Sequence, residues 1–361
     1  MRGVEGVHIM AINIEEILIA AKEAGASDVH ITVGIPPKMR VNGSLVTMDY
    51  PRMTPTDTLE IAVQIMEGKQ KELFDEKGEL DMSYAIAGEG RYRVNLFKQR
   101  GSIALSMRIV DTEIPSPEAL GIPESVMSLY QKKRGLVLVT GPTGSGKSTT
   151  LAAFINAINH NRDAHIITLE DPIEYLHHHD KSIVNQREIG LDSTNYANAL
   201  RAALREDPDV ILVGEMRDYE TISVAITAAE TGHLVLSTLH TIGAANTVDR
   251  IIDVFPAEQQ QQIRVQFASV LEAVISQQLV PRADGNGRVA VFEVMHTNAA
   301  VRNLIREGKT HQLASVMQMN RKAGMITMDD ALLQLKEEGV ITQDMMMQFA
   351  QDIESLKTKM M

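Results

Sequence analysis

A glycine-rich stretch between an apolar run and a segment with helical spacing constrains the fold of this chain most. The stretch Gly141-Pro142-Thr143-Gly144-Ser145-Gly146-Lys147-Ser148 matches G-x-x-x-x-G-K-[ST], a loop whose backbone amides surround phosphate oxygens. In such a loop Lys147 reaches the β- and γ-phosphates and the Ser148 hydroxyl ligates Mg²⁺. The helix that begins near Ser148 adds the partial positive charge of its N-terminus. The stretch, with Thr149 beside it, predicts a site for a nucleoside triphosphate and Mg²⁺.

The chain around this loop alternates short apolar runs with helical segments, as a parallel sheet covered on both faces does. The apolar runs are Leu136–Thr140, Ile166–Leu169, Val210–Val213 and Leu234–Leu236. The helical segments between them are Ser148–Asn159, Tyr196–Arg205 and Thr221–Thr231. From about Ala257 onward the pattern is mostly helical, with one strand pair, Leu279–Pro281 and Arg288–Val294, around Gly287.

The first hundred or so residues have the pattern of a small α+β unit. Apolar residues at helical spacing predict one helix at Ile14–Ala24 and a second at about Thr56–Met66. Asn42-Gly43 predicts a tight hairpin turn, because both residues tolerate the positive φ angles that such turns require. The predicted strands are Ser27–Val33, Met39–Val41, Ser44–Met48, Tyr92–Phe97 and Ile103–Ile109.

A proline-rich stretch separates this unit from the rest of the chain. Pro115, Pro117, Gly121 and Pro123 fall within Asp111–Pro123, and prolines at that density interrupt both helix and sheet. We therefore predict an N-terminal domain at 1–112, a linker at 113–123, a core with the phosphate loop at 124–295 and a helical region at 296–361.

Composition excludes several classes of protein. The chain has 361 residues, of which 44% are apolar and 23% charged, as in ordinary globular proteins. With no cysteine it has neither a disulfide framework nor a thiolate zinc site, and the formal charge of −12 argues against a partner that is a nucleic acid. No apolar run approaches the length of a membrane span, and Met1–Met10 lack the pattern of a signal peptide. We expect a cytoplasmic protein.

Carboxylates follow two of the predicted strands. Glu215 comes after Val210–Gly214, where P-loop proteins place the acid that acts on Mg²⁺. Glu170, Asp171 and Glu174 follow the run that ends at Leu169. An acid at that position is often only a solvated strand end, but the adjacent phosphate loop favours a catalytic function for both groups.

Histidines at two places in the chain have different interpretations. His233 and His240 bracket Leu234–Leu239, which suggests groups that sense the nucleotide or its water, with satisfied core histidines as the alternative. Three consecutive histidines, His177–His179, cannot all face one metal ion from a regular element. We therefore predict a solvated loop there.

Arginines at regular spacing are candidates for contacts with phosphate. Arg91 and Arg93 share one strand face, and Arg108 lies at the end of the next strand. Arg201 and Arg205 share one helical face. Arginine often stabilises phosphate charge from a neighbouring subunit, whereas surface ion pairs are the other interpretation of the same residues.

These motifs together resemble the PilT-type retraction ATPases of type IV pili, within the secretion ATPase superfamily. The segment Val301–Glu307 resembles the C-terminal signature of retraction members, with Val301 where isoleucine is commoner. The matching segments, besides the phosphate loop, are Gly25–His30, Gly90–Asn95, Thr168–Glu174, Leu200–Arg217, Ala228–His240 and Val301–Glu307.

The resemblance implies roles for residues at matching positions. Glu174 is implied as the base that activates water, and Glu215 as an acid that acts on Mg²⁺ through water. Arg93 and Arg108 correspond to arginines that contact the nucleotide phosphates, and the place of Arg91 stays open. Two histidines and two arginines match superfamily residues near the nucleotide: His233, His240, Arg201 and Arg205.

The implied fold is a PAS-like α+β N-terminal domain followed by a RecA-like P-loop ATPase core with C-terminal helices, assembled as a homohexameric ring. The implied function is ATP hydrolysis that drives pilus retraction at the inner face of the cytoplasmic membrane. The implied partners are a platform protein of that membrane and other pilus ATPases. Pilus-assembly members usually carry a long additional N-terminal domain and a four-cysteine zinc site; we expect the first to be lacking here, and the chain has no cysteine for the second, which favours retraction.

Three alternatives stay open from the sequence. The chain would be a PilU-like accessory ATPase, a ring that uses ATP as a conformational ligand without turnover, or a RecA-like DNA motor. The acidic charge and the small number of aromatic residues make the DNA motor the weakest of these.

Overall fold

The computed structural model describes residues 12–41, 43–110 and 113–360, and these fall into two compact units, Met1–Glu113 and Ile114–Met361. The predictions for Met1–Met10, Asn42 and Asp111 lie outside the described residues. No helix in the described ranges combines the length and the apolar character that crossing a membrane requires.

In its described residues the first unit is a six-stranded antiparallel sheet with three helices. Its strand order is β3-β2-β1-β6-β5-β4. Alternation along β5 buries Tyr92, Val94 and Leu96, so that Arg91 and Arg93 lie on the opposite face. The elements are α1 (Ile14–Glu23), β1 (Asp28–Ile31), β2 (Lys38–Val41), β3 (Ser44–Thr47), α2 (Pro55–Ile65), α3 (Gly68–Lys77), β4 (Glu79–Ile86), β5 (Gly90–Gln99) and β6 (Ser102–Val110).

The second unit is a seven-stranded sheet in the order β13-β12-β7-β11-β10-β8-β9, parallel except for the edge strand β13. Its strands are β7 (Gly135–Thr140), β8 (His165–Glu170), β9 (Ile183–Glu188), β10 (Val210–Val213), β11 (Leu234–Leu239), β12 (Leu271–Pro281) and β13 (Arg288–His296). Its helices are α4 (Glu124–Met127), α5 (Lys147–Asn161), α6 (Tyr196–Ala203), α7 (Tyr219–Glu230), α8 (Ala244–Asp253), α9 (Ala257–Val270), α10 (Ala299–Glu307), α11 (Leu313–Met319), α12 (Met328–Glu337), α13 (Gln343–Phe349) and α14 (Ile353–Met360).

Both faces of this sheet are covered, as the apolar strands predict. Leu136 and Leu138 of β7 belong to a core that includes buried residues of α7 and α8. Val137 and Val139 point the other way, into a core with Phe154 of α5. The carboxyl ends of the parallel strands therefore meet at one edge of the sheet, where the phosphate loop follows β7.

Several elements differ from the sequence-based expectations, which included neither α4 nor α8. The patterns did not predict α3, in which only Phe74 is buried, or β9, which has a mixed burial pattern. They also placed Leu271–Gln278 in a helical region, whereas β12 begins at Leu271 directly after α9. β12 is covered on both faces, so its apolar residues do not alternate with polar ones, and Ser276, Gln277 and Gln278 are buried in it as well, which explains this error.

Candidate nucleotide-binding site

The phosphate loop connects the end of β7 to the start of α5, as predicted. Gly141, Gly144 and Gly146 all have positive φ, at 143°, 77° and 90°. A Cβ atom on Gly141 would lie 2.2 Å from the carbonyl oxygen of Gln277, and one on Gly146 would lie 2.9 Å from the Nε2 atom of the same residue. These two positions therefore need glycine both for the backbone conformation and for the close approach of β12.

Lys147 is buried beneath the loop that precedes it. Its Nζ atom donates to the carbonyl oxygens of Gly141, at 2.9 Å, and Pro142, at 3.0 Å. Burial lowers the pKa of Lys147, and the negative charges of Glu215 and Glu174 oppose that shift. The structure thus brings both predicted acids within electrostatic range of the lysine.

The first turn of α5 carries the hydroxyl groups that follow Lys147. Ser148 is exposed, whereas the Thr149 hydroxyl lies 3.1 Å from that of Tyr175. This contact ties α5 to the segment that follows β8, which includes Glu174. The exposed hydroxyl of Ser148 is available to a ligand.

Glu215 lies just beyond β10, at the same edge of the sheet. Its Oε2 atom forms an ion pair with Nε of Arg217 at 2.6 Å and lies 3.2 Å from Nε2 of His240. The hydroxyl of Thr238 donates to the carbonyl oxygen of Gly214 at 2.6 Å, which fixes the backbone next to the acid. Arg217 was not singled out from the sequence as a site residue, although it lies within a matching segment.

Glu170 and Glu174 have different environments. Burial raises the pKa of Glu170, although its carboxylate accepts from the Thr168 hydroxyl at 2.6 Å, Gln186 Nε2 at 3.1 Å and the backbone N–H of Glu174. Gln186 also donates to the carbonyl oxygen of Tyr175 at 2.8 Å. Glu170 therefore anchors the segment that presents Glu174. This distinction was not available from the sequence.

The two predicted histidines lie at opposite ends of β11. His240 follows Leu239, which pairs with Thr140 in the register of β11 and β7, so it lies beside the start of the phosphate loop. His233 precedes the strand, and its Nδ1 atom is 2.9 Å from the carbonyl oxygen of Ala228. Six residues of strand span about 20 Å, so the structure does not bring the two histidines together within this unit.

Arg201 and Arg205 are exposed, on or just beyond the second half of α6. Arg201 forms an ion pair with Glu220 and lies 3.3 Å from Oδ1 of Asn198. The start of α6 is nearer the loop edge, because the Tyr196 hydroxyl lies against Gly214. The two arginines therefore lie away from the phosphate loop of their own unit.

Arg93 and Arg108, in the first unit, are directly opposite each other on β5 and β6. Nη2 of Arg93 is 2.7 Å from Oδ2 of Asp81, and Nε of Arg108 is 3.1 Å from Oδ1 of Asp28. Both guanidinium groups stay substantially exposed, with side-chain exposures of 42% and 67%. Arg91 is more enclosed and donates to the Ser83 hydroxyl at 2.8 Å. The structure thus brings Arg93 and Arg108 together on one accessible face.

The donors near the loop fit Mg²⁺. Mg²⁺ prefers oxygen ligands and usually takes only one or two from the protein, with phosphates and water supplying the rest. The Ser148 hydroxyl and the Glu215 carboxylate are oxygen donors of that kind.

Among the described residues no group of three His, Cys, Asp or Glu side chains could hold a metal, and that includes His177–His179. Of those three, His178 and His179 are exposed as predicted, but His177 is partly buried, which lowers its pKa to about 4.

A phosphate loop at the carboxyl edge of a covered parallel sheet, with two acids near its lysine, defines a P-loop ATPase with a RecA-like core. The family model for type II/IV secretion system proteins matches residues 4–348, and the chain belongs to that family.

Two relatives and one solved structure place the chain more narrowly. A twitching motility protein of Neisseria gonorrhoeae is 48% identical over 320 residues, which cover 89% of this chain and 86% of the relative. The type IV pilus retraction ATPase PilT of Pseudomonas aeruginosa is 46% identical over 92% of this chain and 96% of its own length. The crystal structure of the pilus retraction motor PilT with bound ADP has a TM-score of 0.91 and 49% identity, and the match covers 96% of this chain and 99% of that one. The resemblance to PilT-type ATPases and the predicted fold class are confirmed.

Proposed function

We propose that this chain is a cytoplasmic ring motor that hydrolyses ATP to retract type IV pili. One observation supports it most: Lys147, Glu174, Glu215 and His240 converge at the edge of the sheet where the phosphate loop lies. A phosphate loop alone would explain binding. The additional carboxylates explain how an attacking water is activated and how Mg²⁺, whose charge balances that of the phosphates, would be held.

The loop binds the triphosphate and neutralises part of its charge. Backbone amides between Gly141 and Gly146 donate to phosphate oxygens, and the Lys147 ammonium exchanges its two carbonyl partners for the β- and γ-phosphates. Pro142, Thr143, Ser145 and Thr149 complete the lining of this site. Mg²⁺, held by Ser148 and, through water, by Glu215, supplies further positive charge next to the phosphates when it is bound.

Glu174 is the general base of the proposed reaction. It accepts a proton from the attacking water while Glu170 holds the segment in place through its contact with the Glu174 backbone. His240 fixes the orientation of the Glu215 carboxylate from the neighbouring strand. The resemblance assigns His233 to the same group of residues, and its place at the far end of β11 favours an indirect role.

Arg93 and Arg108 complete the site from a neighbouring subunit of a homohexameric ring. Each already balances a carboxylate of its own unit, Asp81 or Asp28, and each leaves guanidinium surface exposed. Arginine that reaches the transferring phosphoryl group stabilises its charge in the transition state. Arg201 and Arg205, away from their own loop, are placed to face another subunit in the same way. Ring closure requires such a head-to-tail interface.

The mechanical output is displacement of a platform protein at the inner face of the cytoplasmic membrane. ATP draws the first unit of one subunit against the second unit of its neighbour, and hydrolysis releases that contact. The successive steps around the ring move the platform, and pilin leaves the fibre. Other pilus ATPases are further partners in this proposal.

The test is retraction of fluorescently labelled pili in cells of the source organism from which this gene has been deleted. Wild-type protein is expected to restore retraction, whereas Lys147→Ala, expressed at the same level, is not. Restoration by both Lys147→Ala and Glu174→Gln would favour a ring that does not need turnover. Unchanged retraction in the deletion strain would favour the accessory role.

A further inference from the structure

One glutamine that the sequence patterns did not single out contacts the phosphate loop at both of its ends. Gln277 lies on β12, which runs parallel to β7 in the sheet. Ser276 pairs with Thr140, the last residue of β7, so Gln277 is level with the start of the loop. Gln277 is 3% exposed.

The contacts of Gln277 span the whole loop. Its carbonyl oxygen lies against Gly141, where even a single added carbon would approach to 2.2 Å, and its Nε2 atom lies against Gly146. Its Oε1 atom accepts a hydrogen bond of 2.7 Å from the hydroxyl of Thr150, in the first turn of α5. One residue therefore contacts the beginning of the loop, its end and the helix that follows.

Both partners of the hydrogen bond between Gln277 and Thr150 are buried. Thr150 is 1% exposed, so neither polar group has water as an alternative partner. Removal of either group leaves the other buried without a hydrogen-bond partner. That loss destabilises the packing of β12 against α5.

We propose that Gln277 is a positioning residue for nucleotide binding, which acts through Thr150 to hold the phosphate loop in its receptive shape. The amides of such a loop bind phosphate strongly only when they already point inward, because a loop that must first be ordered loses binding free energy to that ordering. Gln277, on the neighbouring strand, keeps the phosphate loop ordered before nucleotide binds. The inference rests on nucleotide binding within the proposed function and on no later step of the motor.

The next residue on the same strand provides a matched control. Gln278 is also buried, at 6% exposed, but alternation along β12 turns its side chain to the other face of the sheet. Its Nε2 atom donates to the carbonyl oxygen of Phe349 at 3.3 Å, in the C-terminal helices. Gln278→Met removes a buried amide of the same size from the same strand without contact with the loop.

The experiment measures affinity for ADP and for ATP by titration, and kcat and KM for ATP, in five variants. These are Gln277→Met, Thr150→Val, the double variant, Thr150→Ser and Gln278→Met. Met and Val keep the approximate size of the side chain and remove the hydrogen bond, whereas Ser keeps the hydroxyl. Thermal unfolding without nucleotide is recorded for each, so that folding and binding are separated.

Gln277→Met and Thr150→Val are each expected to weaken ADP and ATP binding about tenfold and to raise KM similarly, with kcat at saturating ATP within about twofold of wild type. The double variant is expected to lose no more than the larger single loss, because both substitutions remove one hydrogen bond. Thr150→Ser and Gln278→Met are expected to bind nucleotide as wild type does.

Unchanged affinity in a folded Gln277→Met or Thr150→Val protein would overturn the inference. So would an equal loss in Gln278→Met, or losses in the double variant that simply add. If Gln277→Met does not fold, Thr150→Val, in which a methyl group replaces a hydroxyl, decides the outcome. Failure of the wild-type protein to bind ADP would instead count against the proposed function.

Discussion

The Oε2 atom of Glu215 lies 3.2 Å from Nε2 of His240, although 25 residues separate them in the chain. Glu215 follows β10 and His240 follows β11, and these strands are hydrogen-bonded neighbours in the parallel sheet. The two side chains meet because the carboxyl ends of the two strands lie at one edge. His240 thus fixes a carboxylate that borders the phosphate loop.

His240→Ala is expected to lower ATP turnover by about 10–100-fold, as is usual when a group that orients a metal-side carboxylate is removed. His178→Ala, a substitution in an exposed loop, is the matched control and is expected to keep the wild-type rate. The measurement is steady-state phosphate release at saturating MgATP. A wild-type rate in His240→Ala would show that the contact with Glu215 does not contribute to catalysis.

Arg93 is expected to act on a nucleotide bound by another copy of the chain. Because an arginine that stabilises the transferring phosphoryl group contributes about 10³–10⁵ in rate, Arg93→Ala alone is expected to be nearly inactive. When it is mixed with inactive Lys147→Ala protein under conditions of subunit exchange, some interfaces pair an intact loop with an intact arginine. Partial ATPase activity should then return.

The single variants are the baseline for this mixing experiment. A series in which wild-type protein is diluted into Lys147→Ala protein reports whether a ring with inactive subunits still turns over ATP. If that series retains activity and mixing is demonstrated, yet the mixture of the two variants stays silent, Arg93 acts within its own chain.

Asp330 is expected to make the stability of the second unit sensitive to acid. Burial alone would raise the pKa of Asp330, but hydrogen bonds from Lys359, Arg321 and Thr327 lower it below its ordinary value. A carboxyl with a lowered pKa in the folded state stabilises fully above the pKa of the unfolded chain, about 3.8, and loses that contribution as the pH falls through the folded-state value. The loss therefore begins near pH 5 and continues below pH 4.

The measurement is the urea midpoint of unfolding for wild type and Asp330→Asn between pH 7 and pH 3. The difference in urea midpoint between wild type and Asp330→Asn is expected to be largest at neutral pH and to decrease as the pH falls. Asp344→Asn, at an exposed carboxylate, serves as the control. A difference in urea midpoint that stays constant with pH would show that the ion pairs of Asp330 do not stabilise the second unit.

Local patterns predicted most of the elements that position the site. The strand between His233 and His240 is β11 with the expected bounds, and the hairpin of β2 and β3 turns at Gly43, which has the predicted positive φ. The phosphate loop lies between β7 and α5, as its motif requires. These features depend on short-range spacing and backbone preference, which a single sequence contains.

Contacts that depend on strand order could not be predicted in this way. Gln277 meets Thr150 because β12 lies beside β7, and the sequence gives no local sign of that pairing across 127 residues. Gln186 likewise meets Glu170 because β9 lies beside β8 in the sheet. The burial that distinguishes Glu170 from Glu174 has the same origin.

ATP turnover and ATP binding measured together in Glu174→Gln protein test the central claim most directly. The account predicts that binding of ATP stays within a few-fold of wild type, because an amide fits where the carboxylate was. It predicts that phosphate release falls by about 10²–10⁴-fold, because the amide cannot accept the proton of the attacking water. Glu170→Gln, measured in parallel, reports how far anchoring of the segment alone affects the rate. A Glu174→Gln protein that hydrolyses ATP at the wild-type rate would contradict the assignment of the base and, with it, the proposed mechanism of the motor.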